Sequence, residues 1–261
     1  MKLYTSSLSE ALYYLGISVP PVYESDDSSI RNFFRLEDRK SNQPGKIFTF
    51  TQSYHHWHHL IFERYAGSSQ LDRLRQFATH QPVLAIALDG EGFHGQHNRH
   101  WETGLGNLYL SARIPASWFE DHHRLTIQNM TQFSQTDLDK IYTDLQMWPC
   151  ISVLNAIQSV LILRDNTTLS IKLPNDIIVN QDGGIYKLAG CLTELDMQGS
   201  TLQSIRIGIG LNIHHTPEIT SNYGMSAICC EQIHTGDASK LYSKLLGSIA
   251  EHLLTIHEDM L

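Results

Sequence analysis

Three charged side chains in one short stretch have the spacing of an anion-binding site. Lys172 and Asp176 bound the run Lys172-Leu-Pro-Asn-Asp176, and Lys187 opens the run Lys187-Leu-Ala-Gly190. Between them lies Asp182-Gly183, flanked by apolar residues, the signal for a two-residue hairpin turn. A turn centred on that pair sets Ile178 opposite Lys187. Side chains alternate faces along a strand and opposed residues share a face, so Lys172, Asp176 and Lys187 then point to one side. The register assumes that Pro174 leaves the near strand undisturbed. Two lysines and a carboxylate suit an anionic ligand with a bound divalent metal. They suit a solvated face with surface ion pairs as well, and spacing alone does not choose.

The next apolar run bears on that choice. In Ile205-Arg-Ile-Gly-Ile-Gly-Leu-Asn-Ile213 every odd position is apolar, and the even positions are Arg206, Gly208, Gly210 and Asn212. One face is a core stripe and the other is nearly bare backbone. Interior glycines cost a strand stability and mark where a ligand or another element comes close. Asn212 ends that face with an amide able to hydrogen-bond. The loop Gly90-Glu-Gly-Phe-His-Gly95 reads formally as G-x-G-x-x-G, but no helix pattern follows it, which excludes a dinucleotide fingerprint. A loop that offers backbone N–H groups remains. The tract Tyr54-His-His-Trp-His-His59 lacks the H-E-x-x-H zinc pattern and reads as a polar turn or strand edge. Cys150 and Cys191 read as core thiols.

The elements that must position these residues follow from periodicity. Leu60–Arg64, Pro82–Leu88 and Asn107–Ile114 read as strands. Ser69 caps a helix over Gln70–Phe77, with Asp72 three residues on. Asp89–Gly106 is a long loop with five glycines. Residues 115–147 are polar and helical in part, and Cys150–Leu163 is a buried helix. Strands follow near 169–173, 176–180, 186–195 and 203–213, and an amphipathic helix over 237–257 closes the chain. The expected fold is α/β (α+β): a mixed, largely antiparallel sheet backed by helices. Residues 1–59 are weakly patterned beyond a short helix near Ser9–Leu15, and no helix-turn-helix is legible. They are set apart as an N-terminal extension, with 60–261 as the main domain.

Composition narrows the class. A hydrophobic fraction of 41% and a charged fraction of 18% over 261 residues belong to an ordinary folded chain. No apolar run reaches the roughly 18 residues of a membrane span, and Met1–Leu12 does not read as a secretory signal. Four cysteines without zinc spacing fit a cytoplasmic protein with reduced thiols. A formal charge of −8 argues against nucleic-acid binding. A homodimer is left open.

Taken together, the motifs resemble those of biotin protein ligases. Lys172-Leu-Pro-Asn-Asp176 is similar to K-W-P-N-D, Lys187-Leu-Ala-Gly190-Cys-Leu-Thr-Glu194 to K-x-A-G-I-L-x-E, and Ile207–Asn212 to I-G-x-G-I-N. Gly106–Ser111 resembles the N-L-Y-L-S strand. Ser68-Ser69-Gln70 stands in the place of D-S-T-N, and Gly90–Gly95 in the place of G-R-G-R-x-G, with Trp101 after it. The six motifs keep the family's order over roughly residues 60–215. The resemblance implies the catalytic fold shared with lipoate ligases and class II aminoacyl-tRNA synthetases. It implies formation of biotinyl-AMP from biotin and Mg·ATP, then transfer to a lysine of a biotin carboxyl carrier domain. Lys187 and Lys172 would be catalytic. Lys172, Asn175, Asp176 and Asn212 would meet ATP, with Asp176 a Mg²⁺ ligand. Biotin and its adenylate would be held by Ser68, Ser69, Gln70, Gly90, Glu91, Gly92, Phe93, Trp101, Tyr109, Lys187, Gly190, Gly208 and Gly210.

Four departures stand out. Glu91, Phe93 and His94 replace a basic loop, which should weaken retention of an anionic adenylate. The glutamine expected just before the loop is absent, with Ala87 or a neighbour there. Leu173 replaces the tryptophan of K-W-P-N-D. The stretch after the closing helix leaves no room for the small C-terminal β-domain of many family members, so none is expected in residues 1–261. Two other readings follow from these: a ligase for lipoate or octanoate, and a non-catalytic biotin-binding module.

Overall fold

The computed structural model describes residues 1–25, 46–77, 79–118, 135–218 and 225–255. Within them one mixed sheet carries the fold. In chain order the elements are β1 (Lys2–Thr5), α1 (Leu8–Leu15), β2 (Tyr23–Ser25), β3 (Lys46–Thr49), β4 (His59–Glu63), α2 (Gln70–Leu74), β5 (Val83–Ala87) and β6 (Leu108–Pro115). They continue with α3 (Gln135–Val160), β7 (Thr167–Lys172), β8 (Asp176–Gln181), β9 (Gly184–Gln198), β10 (Thr201–Leu211), β11 (Ser226–Ala227), α4 (Cys230–Ile233) and α5 (Leu241–Leu254). The strand order is β2-β3-β1-β4-β5-β6-β10-β9-β8-β7, with β11 beside β9. The β1–β4, β4–β5 and β9–β11 pairs are parallel and the others antiparallel. The expected mixed, largely antiparallel sheet is what forms.

Its two faces divide the sequence by parity. Ile205, Ile207, Ile209 and Leu211 of β10 join the main core under α3 and α5. Arg206, Gly208 and Gly210 face the other way, toward α2 and a cavity. The hairpin from β8 to β9 turns at Asp182 and Gly183, with φ of 49° and 81°. Both values lie in the left-handed region that the aspartate–glycine pair tolerates. Two segments read separately from the sequence are one helix: α3 runs through Pro149. A helix continues past a proline when its buried face outweighs the lost N–H bond. Here Leu145, Trp148, Cys150, Val153, Ala156 and Ile157 are all buried.

Among the described residues of the N-terminal segment, β1, β2 and β3 pair into this sheet. β1 sits between β3 and β4, parallel to β4, with Leu3 beside Leu60. The expected short helix is α1. The histidine-rich tract forms a turn closed by Tyr54 and Trp57, whose buried indole Nε1 donates to the Ala250 carbonyl at 2.8 Å. No group of three His, Cys, Asp or Glu side chains placed to hold a metal occurs among the described residues. No described helix is long and apolar enough to cross a membrane.

His59, at the start of β4, lies 2.9 Å by Nδ1 from the Tyr4 hydroxyl. Burial first, and then Lys2, push its imidazole down to about 4. A folded pKa below the unfolded value means that charging the ring opposes folding. That contribution is whole above about pH 6.5 and is lost as pH falls toward 4. The urea midpoint should therefore drop across this window, and His59→Asn should flatten the drop. An unchanged slope in the variant would refute the assignment.

Candidate active site

Pairing across the sheet brings the motifs into one row. Lys172 pairs with Asp176, Asp176 with Gly190, Gly190 with Gly210, Gly210 with Tyr109, Tyr109 with Ala87, and Ala87 with Glu63. A cavity of about 390 Å³ opens over the middle of that row. This is the size of a small-molecule site. Ser69, Phe93, Trp101, Tyr109, Asn175, Asp176, Lys187, Gly190, Gly208, Gly210 and Asn212 of the anticipated residues line it. Ser68, Gln70, Gly90, Glu91, Gly92 and Lys172 are not among its lining. Lys172 ends an edge strand and is exposed.

Lys187 is fixed on two sides. Its Nζ lies 2.7 Å from Asp176 Oδ1 and 4.9 Å from the centre of the Trp101 ring. A buried carboxylate and an aromatic face hold the ammonium at the cavity wall with little freedom. The anticipated hairpin register, Ile178 opposite Lys187, is present, but a bulge follows immediately. Ile177 pairs with Ala189, so Leu188 is an extra residue on β9. A regular strand would turn Gly190 to the face opposite Lys187. The bulge reverses that parity and puts both at the cavity. Asn175 ties the bend before β8 to β9: its Nδ2 donates to the Cys191 carbonyl at 2.7 Å.

The glycines make room for side chains. A Cβ at Gly190 would lie 2.7 Å from the Trp101 ring, and one at Gly210 would also run into the indole. At Gly208 a Cβ would meet Leu71 of α2 at 3.3 Å. The bare strand face is thus covered by Trp101 and α2. Trp101 Nε1 is buried without an acceptor among the described residues, a donor held ready in the wall. Gly90 answers to backbone crowding, since a Cβ there would sit 2.5 Å from the Ala66 carbonyl oxygen.

The loop over the cavity is tethered. Trp101 N donates to Phe93 O at 3.0 Å, Thr103 Oγ1 to Gly90 O at 2.8 Å, and Glu91 N to Ala66 O at 2.9 Å. Phe93 stacks on Tyr109 at 5.2 Å. Tyr109 accepts from Gly104 N at 2.7 Å, and burial pushes its phenol up to about 12, so it stays protonated. Glu91 points to solvent, whereas Arg99, His94 and His100 line the cavity. His94 Nε2 sits 3.1 Å from Asp72 of α2. Reading the loop by motif alone missed Arg99, which the segment Gln96–Arg99 carries in. It also missed Ser111, which pairs with Gly208 and shares a face with Tyr109.

α2 forms the remaining wall. Ser69 caps it by accepting from Asp72 N at 3.4 Å. The helix stops at Leu74, three residues before the expected Phe77. Gln70 turns its Nε2 onto Glu63 at 2.6 Å, and Arg73 grips the same carboxylate through both terminal nitrogens. Asn212 is committed to structure as well, its Nδ2 donating to Ile228 O at 3.1 Å. The thiols of Cys150 and Cys191 are core groups: a hydrogen bond between them, and then burial, raise Cys191 well above its ordinary value.

No family model and no curated protein matches the sequence. Solved structures do. A biotin protein ligase from Leishmania major in complex with biotin aligns with a TM-score of 0.53 at 20% identity, over 75% of this chain and 72% of that one. The same ligase in complex with biotinyl-5-AMP gives 0.51 at 19%, over 75% and 73%. A biotin protein ligase from Aquifex aeolicus in complex with biotin and ATP gives 0.50 at 23%, over 76% and 71%. The chain has the fold of these catalytic domains.

Gly190→Ala tests the Trp101 cover. The added methyl group should cost about 1–3 kcal/mol, as overpacking does, and shift tryptophan emission as the indole is displaced. Wild-type stability and emission would show that Trp101 does not rest on this wall.

Proposed function

We propose that the protein is an ATP-dependent biotin protein ligase. The observation that carries this reading is Lys187, held by Asp176 and Trp101 at the edge of a cavity whose floor is the Gly190–Gly210 pair. The fold shared with ligases crystallised with biotin, biotinyl-5-AMP and ATP supports it. In the first step a carboxylate oxygen of the acid attacks the α-phosphorus of ATP and pyrophosphate leaves. In the second, a lysine amine of a biotin carboxyl carrier domain attacks the acyl carbon and AMP leaves. Both partners in the first step are anions. Lys187 offsets their repulsion and stabilises charge in the transition state once the ligand takes it over from Asp176. Arg99 is a second cation at the cavity. Ser69 and Tyr109 supply hydrogen bonds beside an apolar wall of Phe93 and Trp101. Asp176 and Glu102 are the carboxylates among the cavity's lining residues, and Asp176, beside Lys187, is the one we assign to Mg²⁺. Its pairing with Lys187 leaves the metal to arrive with the ATP phosphates, as Mg²⁺ usually does.

Pyrophosphate release, measured with biotin, lipoate and octanoate in parallel, tests this. Biotin should be the preferred acid, and Lys187→Ala should lower the rate by about 10²–10³-fold, as loss of one transition-state donor does. Release with lipoate or octanoate alone would move the assignment to those acids. Release with none of the three would leave a biotin-binding module.

The adenylate should also escape readily. Arg99 lines the cavity, but residues 91–94 carry no arginine. Biotin label should spread to bystander lysines, and the pair Glu91→Arg with Phe93→Arg should slow the escape. Biotinyl-AMP that stays bound through dialysis would refute the point.

A further inference from the structure

A helix of five residues does not hold itself in place. α2 nevertheless carries Ser69 and Leu71 to the cavity, and its outer flank is anchored by Glu63. On its inner flank stands Arg206, which no part of the proposed chemistry uses. Its side chain is wholly buried on the cavity face of β10, one pleat from Gly208. Nη1 donates to the main-chain carbonyl of Leu71 at 2.8 Å. Nε lies 2.9 Å from Asp196 Oδ1, and Nη2 lies 2.7 Å from Glu194 Oε2. Asp196 is oriented in turn by Ser204, whose hydroxyl donates to Oδ2 at 2.7 Å. The two carboxylates come from β9, and Glu194 is the direct cross-strand partner of Arg206. Arg75, just past α2, adds longer contacts to both acids, at 3.6 Å and 3.8 Å.

This places a rigid planar cation, fixed by the sheet, against the backbone of the cavity wall. At Gly208 the absent side chain lets Leu71 settle onto the same strand. We propose that Arg206 is a positioning residue: gripped by Asp196 and Glu194, it fixes α2 through the Leu71 carbonyl and so sets Ser69 at the acid end of the cavity. The assignment of that end rests on the ligase reading. The clamp itself rests on the geometry alone.

Arg206→Lys separates the two roles of the side chain. Lysine keeps a cation for Asp196 and Glu194, but as a point donor it cannot also span to the Leu71 carbonyl. Hydrogen exchange on the whole, ligand-free protein should show the amides of Asp72 and Arg73, which bond back to Ser69, opening at least tenfold faster. Amides shared by β9 and β10 should keep their wild-type rates. In the pyrophosphate assay KM for biotin should rise about five- to tenfold, with kcat and KM for ATP within twofold. Asp196→Asn, which keeps the side-chain shape, should give the same pattern more weakly and covers a failure of Arg206→Lys to fold. Wild-type exchange at Asp72 and Arg73 in a folded variant would overturn the clamp. So would a uniform rise in exchange across the sheet with all kinetic constants falling together. Absence of pyrophosphate release in the wild type would defeat the ligase reading instead, and the exchange data would still decide the clamp.

Discussion

The site depends on one extra residue in β9. Leu188 is unpaired across the β8–β9 ladder, and its carbonyl accepts from Asn212 N at 3.0 Å on the other side. Without it, Lys187 and Gly190 would face opposite sides of the sheet. With it, the lysine, the glycine floor and Asp176 share the cavity. A bulge bends and twists its strand locally, and such features are found beside functional sites because they re-aim a side chain. Here the bulge lies where three strands and β11 meet, since Lys187 O also accepts from Ile228 N at 3.0 Å. The face to which Lys187 points is thus fixed by main-chain pairing, and Asp176 and Trp101 then hold its ammonium there.

Much of this was legible from local pattern. Asp182-Gly183 specified the hairpin, and alternation in Ile205–Ile213 separated the core face from the glycine face. Ser69 marked the start of α2. What pattern did not carry were the non-local terms. The bulge at Leu188 is not located by its surroundings: Lys187, Ala189 and Gly190 are poor strand formers, and Gly190 signals an irregularity without saying which residue is extra. The pairing of β1 with β4 joins segments nearly sixty residues apart and depends on which buried edge is left open. Trp101 read as a loop aromatic, yet it fills the space that two glycines on different strands leave. Lys172 shows the converse. Its parity with Asp176 was read correctly, but parity does not tell how far along the row the cavity extends.

The cavity has two kinds of wall. The floor is sheet, the middle of a row of seven paired residues, and its positions are set by backbone ladders. The far side, α2 with the loop 89–106, is short or irregular, and the packing of Leu71, Leu74, Phe93 and Trp101 does not by itself set its orientation. It is held by polar contacts: Glu63 with Gln70 and Arg73, Arg206 with Leu71, His94 with Asp72, and Tyr109 with Gly104. A buried carboxylate that lost its cation would be left uncompensated, which is costly enough to hold the pairing. Polar contacts also fix direction in a way that apolar packing does not, so a short helix can be set to a definite orientation by two of them.

That division bears on how the protein would handle an anion. The net charge of −8 gives no long-range attraction to a nucleotide, so capture has to come from charges inside the cavity. Lys187 is neutralised at rest by Asp176 and shielded by Trp101. An incoming anion must therefore compete with a carboxylate 2.7 Å away. The competition favours a ligand that brings its own divalent cation, because the metal can take up Asp176 as the anion takes up Lys187. Either partner alone would leave a buried charge uncompensated, whereas the two together exchange one buried pair for two. On the proposed ligase reading, the Lys187–Asp176 pair would favour coupled arrival of metal and polyphosphate, and the row that places Asp176 beside Gly190 would keep both exchanges within one cavity.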